Sequence, residues 1–107
     1  MSNDNINNNV IFEYHDVTAS DTLEKYTKDK LQTLFTRFDF VIRADVFFKT
    51  ENTTSDDTGM KCGIRLSAPG PRLFAESSHN TFQNAVDESI NELTRQLQKR
   101  KETMKSY

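Results

Sequence analysis

The stretch NTFQNAVDESINELTRQLQKRKETMK, residues 80–105, decides how the chain must fold. Phe82, Ala85, Val86, Ile90, Leu93 and Leu97 recur at three- and four-residue steps, which puts them on one stripe of an α-helix. Such a stripe is wide enough to lie on a sheet. Asn80 and Gln83 have capping-box spacing, so a helix over 80–104 is predicted. Charge is unevenly placed along it. Asp87, Glu88 and Glu92 come first, and Arg95, Lys99, Arg100, Lys101 and Lys105 follow, with Glu102 among them. Acid early and base late suits the helix macrodipole. The same step also makes a cationic rod that can project past a core toward a polyanion. Periodicity alone leaves both readings open.

Upstream, the pattern alternates. Over 9–15, Val10, Phe12 and Tyr14 share one face of a strand, with Glu13 and His15 on the other. Thr18 with Asp21 is a second capping signal, predicting a helix over 19–36. Leu23, Tyr26, Leu31, Leu34, Phe35 and Phe38 form its apolar side; Lys25 and Lys28 point to solvent, and Lys30 and Arg37 flank. A strand over 41–49 turns Ile42, Ala44, Val46 and Phe48 inward. A polar loop over 50–59 carries Asp56 and Asp57. Met60, Cys62, Ile64 and Leu66 face inward on a strand over 60–66. APGP at 68–71 is a tight turn, and a strand over 72–77 turns Leu73 and Ala75 inward.

The order is β-α-β-β-β-α. The first helix is long enough for a crossover, so strands one and two are expected to be parallel. Strands two to four form an antiparallel meander. Both helices must bury an apolar stripe, and one sheet face suffices. The expected class is α+β, a four-stranded mixed sheet with two helices packed on one face.

With 107 residues the chain has room for one domain, here 9–105, behind a short leader over 1–8 expected to be disordered. The net charge is -2, so global charge does not mark a nucleic-acid binder. The balance is local. Residues 1–21 carry four acids and no Lys or Arg, whereas residues 93–107 carry five bases and one acid. An anionic partner must meet one end of the molecule. Cys62 is the only cysteine, which excludes a disulfide framework and a Cys-based metal set, and a reducing, cytoplasmic compartment is expected. No apolar run approaches a membrane span, and MSNDNINNN lacks the regions of a signal peptide.

Catalysis finds little support. His15 falls on the solvent face of a strand and His79 just before a helix cap. No nucleophile elbow, phosphate loop or dinucleotide motif is present, and Asp56 and Asp57 lack calcium-loop spacing. The expectation is a protein that is not an enzyme, with no catalytic residue, no metal site, no cofactor and no small-molecule substrate. On the uncovered sheet face, Phe47 and Phe74 stand beside Arg43, Lys49, Lys61, Arg65 and Arg72. Aromatics amid bases can stack unpaired RNA bases. Equally, the two rings can cover one another or meet a partner protein.

Read together, VTASDTLEKY, FDFVIRADVFFKTEN, LSAPGPRLFAES and TFQNAVDESINELTRQLQKRK, in this order and spacing, resemble the ribosome hibernation promoting factor family, also called ribosome-associated inhibitors or ribosomal subunit interface proteins. The likeness covers about residues 10–105. It implies a βαβββα domain similar in shape to double-stranded RNA-binding domains. It also implies binding to the small ribosomal subunit and its rRNA, in the channel that messenger RNA and transfer RNA would occupy, which blocks translation and preserves idle ribosomes. The family's basic run matches Leu93, Arg95, Gln96, Leu97, Lys99 and Lys101. On the first helix Lys30 holds one position, Asp29 takes another, and Thr33 and Thr36 stand where family members often carry lysine. The short form is implied, without the long form's C-terminal dimerisation domain, and a monomer is expected off the ribosome.

The candidate RNA-binding set is Lys25, Lys28, Lys30 and Arg37 on the first helix with Arg95, Lys99, Arg100, Lys101 and Lys105 on the second. Arg95 and Lys99 lie one turn apart, and Lys101 and Lys105 repeat that spacing on another side. Two basic rails on one rod can touch phosphates of two strands. The alternatives are a stand-alone double-stranded RNA module, which would carry lysines where this chain has NTFQN, or a protein-interaction domain using Phe47 and Phe74.

Overall fold

A computed structural model describes residues 9–51 and 59–105. The leader over 1–8 and the loop aspartates Asp56 and Asp57 lie outside the described residues. The elements are β1 (Asn9–His15), α1 (Asp21–Arg37), β2 (Arg43–Thr50), β3 (Met60–Ser67), β4 (Leu73–His79) and α2 (Phe82–Lys105). They form one mixed sheet in the order β1-β2-β3-β4. β1 runs parallel to β2, with Phe12 opposite Val46. β2–β3 and β3–β4 are antiparallel, with Val46 opposite Ile64 and Ile64 opposite Ala75. The α+β expectation holds in element order and in strand pairing.

The alternation of apolar residues works as the strand period requires. Ala44, Val46 and Phe48 are buried with Cys62, Ile64 and Leu66 from β3 and Leu73 and Ala75 from β4. Leu31, Leu34, Phe35 and Phe38 close the core from α1, and Ala85, Val86, Ile90, Leu93 and Leu97 from α2. Phe48 sits at the centre, its ring 6.2 Å from Phe12, 5.6 Å from Tyr14 and 5.4 Å from Phe82. Each such fully buried large apolar side chain contributes about 1.5–3 kcal/mol. Among the described residues, the two buried polar side chains are satisfied. Thr27 donates to the Leu23 carbonyl at 2.8 Å and Ser89 to the Cys62 carbonyl at 3.1 Å.

Four details differ from the sequence expectation. Ser20, not Thr18, caps α1; its extended backbone lets Oγ accept from the Leu23 amide at 3.2 Å. Thr81, not Asn80, caps α2 by accepting from the Asn84 amide at 3.1 Å, because β4 runs on through His79 and moves the first orphan amides one residue along. Ile42 is 61% exposed and Val41 is buried in its place. β2 starts only at Arg43, and the link after α1 bonds Val41 N to the Phe38 carbonyl, turning Val41 inward. Met60 is 37% exposed, since it stands on the last rung of the ladder, opposite Thr50.

The strand directions fix how the helices lie. β2 is parallel to β1, and two antiparallel steps return β4 to that same direction. Each helix leaves its strand and doubles back over the same sheet face, so α1 and α2 run parallel to one another. Two contacts record this. Tyr26 Oη donates to Asp87 Oδ1 at 2.6 Å, and Arg37 Nη2 donates to Gln98 Oε1 at 3.2 Å; both pairs are 61 residues apart. One offset holds over three helical turns.

Candidate nucleic-acid interface

Parallel helices bring their C-terminal ends together, and each end carries partial negative charge from its last carbonyls. Bases are favoured there, and α1 ends on Arg37. Gln98 stands level with Arg37, and α2 continues from there through Lys105, about 10 Å of further helix at 1.5 Å per residue. Lys101 to Met104 are all exposed. α2 therefore does extend past the packed core, as its charge step predicts.

At this end the Phe38 ring organises two cations. The Arg37 guanidinium carbon lies 5.0 Å from its centroid and Lys101 Nζ lies 5.8 Å from it. A groove beside them is lined by Arg37, Thr94, Arg95, Gln98 and Lys99 together with Glu92 and Glu102. Arg95 is exposed and paired to Glu92. Its guanidinium, helped by the Gln96 amide, holds the Glu92 carboxyl below its usual range. Among the described residues no acid pairs with Lys99. Thr33 and Thr36 line a shallow surface next to Arg37.

The remaining candidate residues go elsewhere. Arg100 turns toward the sheet, where Nη1 donates to the Pro69 carbonyl at 2.6 Å and Nη2 to the Pro71 carbonyl at 2.8 Å. It clamps the turn in which Gly70 adopts φ 95°, a left-handed conformation that glycine takes without strain. Lys25 pairs with Asp29 at 3.5 Å, and Lys28 lies over Phe12 at 5.8 Å. Lys30 reaches Asp87 at 3.7 Å and stands two turns back from Arg37 on α1. Lys105 is the last residue of α2. So Arg37, Arg95, Lys99 and Lys101 are brought together, while Lys25, Lys28, Lys30 and Arg100 are not. Gln98 and Phe38 belong to the site but carry no charge, so a search for cations passes over them. The signal for Phe38 was its position directly after Arg37 at the helix end.

Neither histidine nor the cysteine lines this groove. His15 lies exposed, 3.5 Å from Glu13, and His79 pairs with Glu88 at the surface. Burial pushes the Cys62 thiol up to about 12, where little nucleophilic thiolate forms at neutral pH. Among the described residues no group of three or more His, Cys, Asp or Glu could hold a metal ion, and no helix is long and apolar enough to cross a membrane.

Known proteins resemble this chain in sequence and in fold. Two curated ribosome hibernation promoting factors of Pseudomonas putida are each 29% identical over 90 residues, covering 84% of this chain and 83% of theirs. A ribosomal subunit interface protein from Coxiella burnetii superposes with a TM-score of 0.71 at 20% identity, over 87% of this chain and 97% of that one. The N-terminal domain of Thermus thermophilus Protein Y gives a TM-score of 0.71 at 18% identity, over 85% and 97%. At these identities the two structures establish the fold. The family model described as Sigma 54 modulation protein / S30EA ribosomal protein matches residues 10–105, nearly all of the domain, in agreement with the resemblance read from the sequence. The chain belongs to this ribosomal protein family.

Proposed function

We propose that the protein is a hibernation factor that binds the small ribosomal subunit through rRNA and blocks translation by filling the channel of messenger RNA and transfer RNA. Family membership supports the ribosome association. The observation that carries the finer reading is the gathering of Arg37, Arg95, Lys99 and Lys101 where the two parallel helices end. In a chain of net charge -2, that cluster supplies the local attraction a polyanion needs. The site is built on helices, so few side chains must be ordered on binding. Its mechanism is steric: a rigid domain lodged where the RNA substrates pass, held by phosphate contacts and without chemistry.

The test is pelleting with ribosomes across a salt series. Reversing Arg95 and Lys99 to Glu changes local charge by four units and is expected to abolish co-sedimentation. Circular dichroism should show an intact fold, since both side chains are exposed. Each lost phosphate contact lowers the salt slope by about 0.7–0.9, taking single-stranded and duplex nucleic acid as bounds. Lys25→Glu, away from the cluster, should matter much less. Wild-type pelleting by the double variant would remove the helix ends as the RNA contact.

A further inference from the structure

The sheet face opposite the helices is open, and its charges do not cancel evenly. Lys61 is held by Glu51 at 3.0 Å and by Glu76 at 3.8 Å, Lys49 by Glu51 at 4.0 Å, and Arg43 by Asp45 at 2.9 Å. Among the described residues no acid pairs with Arg65 or Arg72. Both flank Phe74. Arg65 stands opposite it on β3 with its guanidinium 5.7 Å from the ring centroid, and Arg72 comes two residues before it. Phe74 is 40% exposed and stacks on Phe47 at 6.5 Å and 18°. Phe47 in turn lies flat on Gly63, where any Cβ would come within 2.1 Å of its ring. The two rings thus lie nearly parallel to one another and present a continuous aromatic surface. A cleft of about 340 Å³ opens between Glu13, Arg43, Asp45, Arg65, Arg72 and Phe74, with Asp45 taken by Arg43. It lies at the small end of ligand clefts, with room for about one nucleotide.

We propose that this face is a second RNA-contacting surface, which stacks an unpaired base of an RNA strand on the Arg65–Phe74 layer and takes the neighbouring phosphate on Arg72. The chemistry fits an unpaired strand better than a duplex. A base needs a flat π-face or guanidinium plane, and both are present. A phosphate needs an uncommitted cation beside that plane, and Arg72 is one. A duplex hides its base faces. Phenylalanine and arginine are also enriched at the centres of protein interfaces, so a protein partner is the competing occupant that the experiment separates. This surface lies on the far side of the sheet from the helix ends, so it is independent of the cluster at Arg37 and Arg95.

The experiment uses the whole chain and a fluorescently labelled single-stranded RNA of about ten nucleotides, a length within the usual span of such sites, with the matching duplex as control. Anisotropy measures affinity, and amide chemical shifts locate the contact. Phe74→Ala should weaken single-strand binding about tenfold, within the range seen for one stacked base. Arg72→Ala should weaken it less and lower the salt slope by about 0.7. Arg72 is exposed and outside the core, so that variant stays informative even if Phe74→Ala unfolds. Amide shifts should centre on Phe47, Gly63, Arg65 and Phe74, and should persist in the Arg95/Lys99 reversal, which separates this surface from the helix site. Equal binding of strand and duplex, shifts confined to the helices, or wild-type affinity in both variants would overturn the proposal. So would a sheet face that ignores RNA yet is protected on the ribosome, which would give it to a ribosomal protein.

Discussion

The hydroxyl of Tyr26 donates to Asp87 Oδ1 at 2.6 Å and ties the two helices together at one register. The same offset puts Arg37 against Gln98 and so assembles the cationic end. The carboxylate accepting the bond, with partial burial, raises the Tyr26 pKa above its ordinary 10.0. Tyr26→Phe is expected to cost about 1 kcal/mol, a partly exposed bond to a charged group being worth little more. For a domain of this size that lowers Tm by about 4–8 °C. Calorimetry checks it, and an unchanged melting curve would mean that core packing alone fixes the register.

Arg95 is not free in the unbound protein, because Glu92 holds it. Any phosphate must displace that carboxylate. Glu92→Gln keeps the shape and removes the competing charge. It should tighten ribosome binding at moderate salt while leaving the melting curve nearly unchanged, as exposed pairs contribute little. Pelleting shows the gain as retention at a higher salt concentration. A loss of binding would mean that Glu92 positions Arg95 productively.

Gly63 has no room for a side chain, since a Cβ there would lie 2.1 Å from Phe47 Cε2. The obstacle is a ring on the open face, so the ring can swing away by breaking its stack with Phe74. Gly63→Ala is expected to destabilise by about 1–3 kcal/mol, the usual range for overpacking. In the Phe47→Ala background the same substitution should cost far less, because the clashing atoms are gone. Urea titrations of the four proteins in this cycle measure the coupling.

Burial moves the Cys62 thiol from 9.0 to about 12 in the folded protein. The Tyr14 hydroxyl moves from 10.0 to about 12, through desolvation first and its bond to Glu24 second. Both groups ionise later folded than unfolded. Their contribution to stability is therefore complete below about pH 9 and is lost as pH rises toward 12. Once the unfolded thiol is ionised, stability should fall by about 1.4 kcal/mol per pH unit from that group alone. Cys62→Ala should remove the part of the slope that begins near pH 9, leaving that of Tyr14. Below that range the thiol of the native protein should label slowly.

Much of the fold is written in local pattern. Periods of two and 3.6 identify the strands and helices, because side-chain direction along each is set by backbone geometry alone. The same patterns marked Leu93, Leu97, Val46 and Ile64 as core, and all four are buried. The acid-to-base step of α2 pointed to the charged end of the molecule before any contact was known. Where the pattern stopped, at strand ends and caps, it misplaced Ile42 and Asn80, since burial there depends on how the link after α1 and the exit from β4 turn. The spacing paired Arg95 with Lys99, but it could not show which other cations gather beside them. Arg100 and Lys101 are neighbours in sequence, yet one is drawn to the Pro69 and Pro71 carbonyls and the other to the Phe38 ring. Only the direction of β4 relative to β1 makes the helices parallel and carries Arg37 to Gln98, 61 residues away. Electrostatic attraction acts through space over a few ångströms, so the chain's order could supply the charges, and packing alone could bring them together.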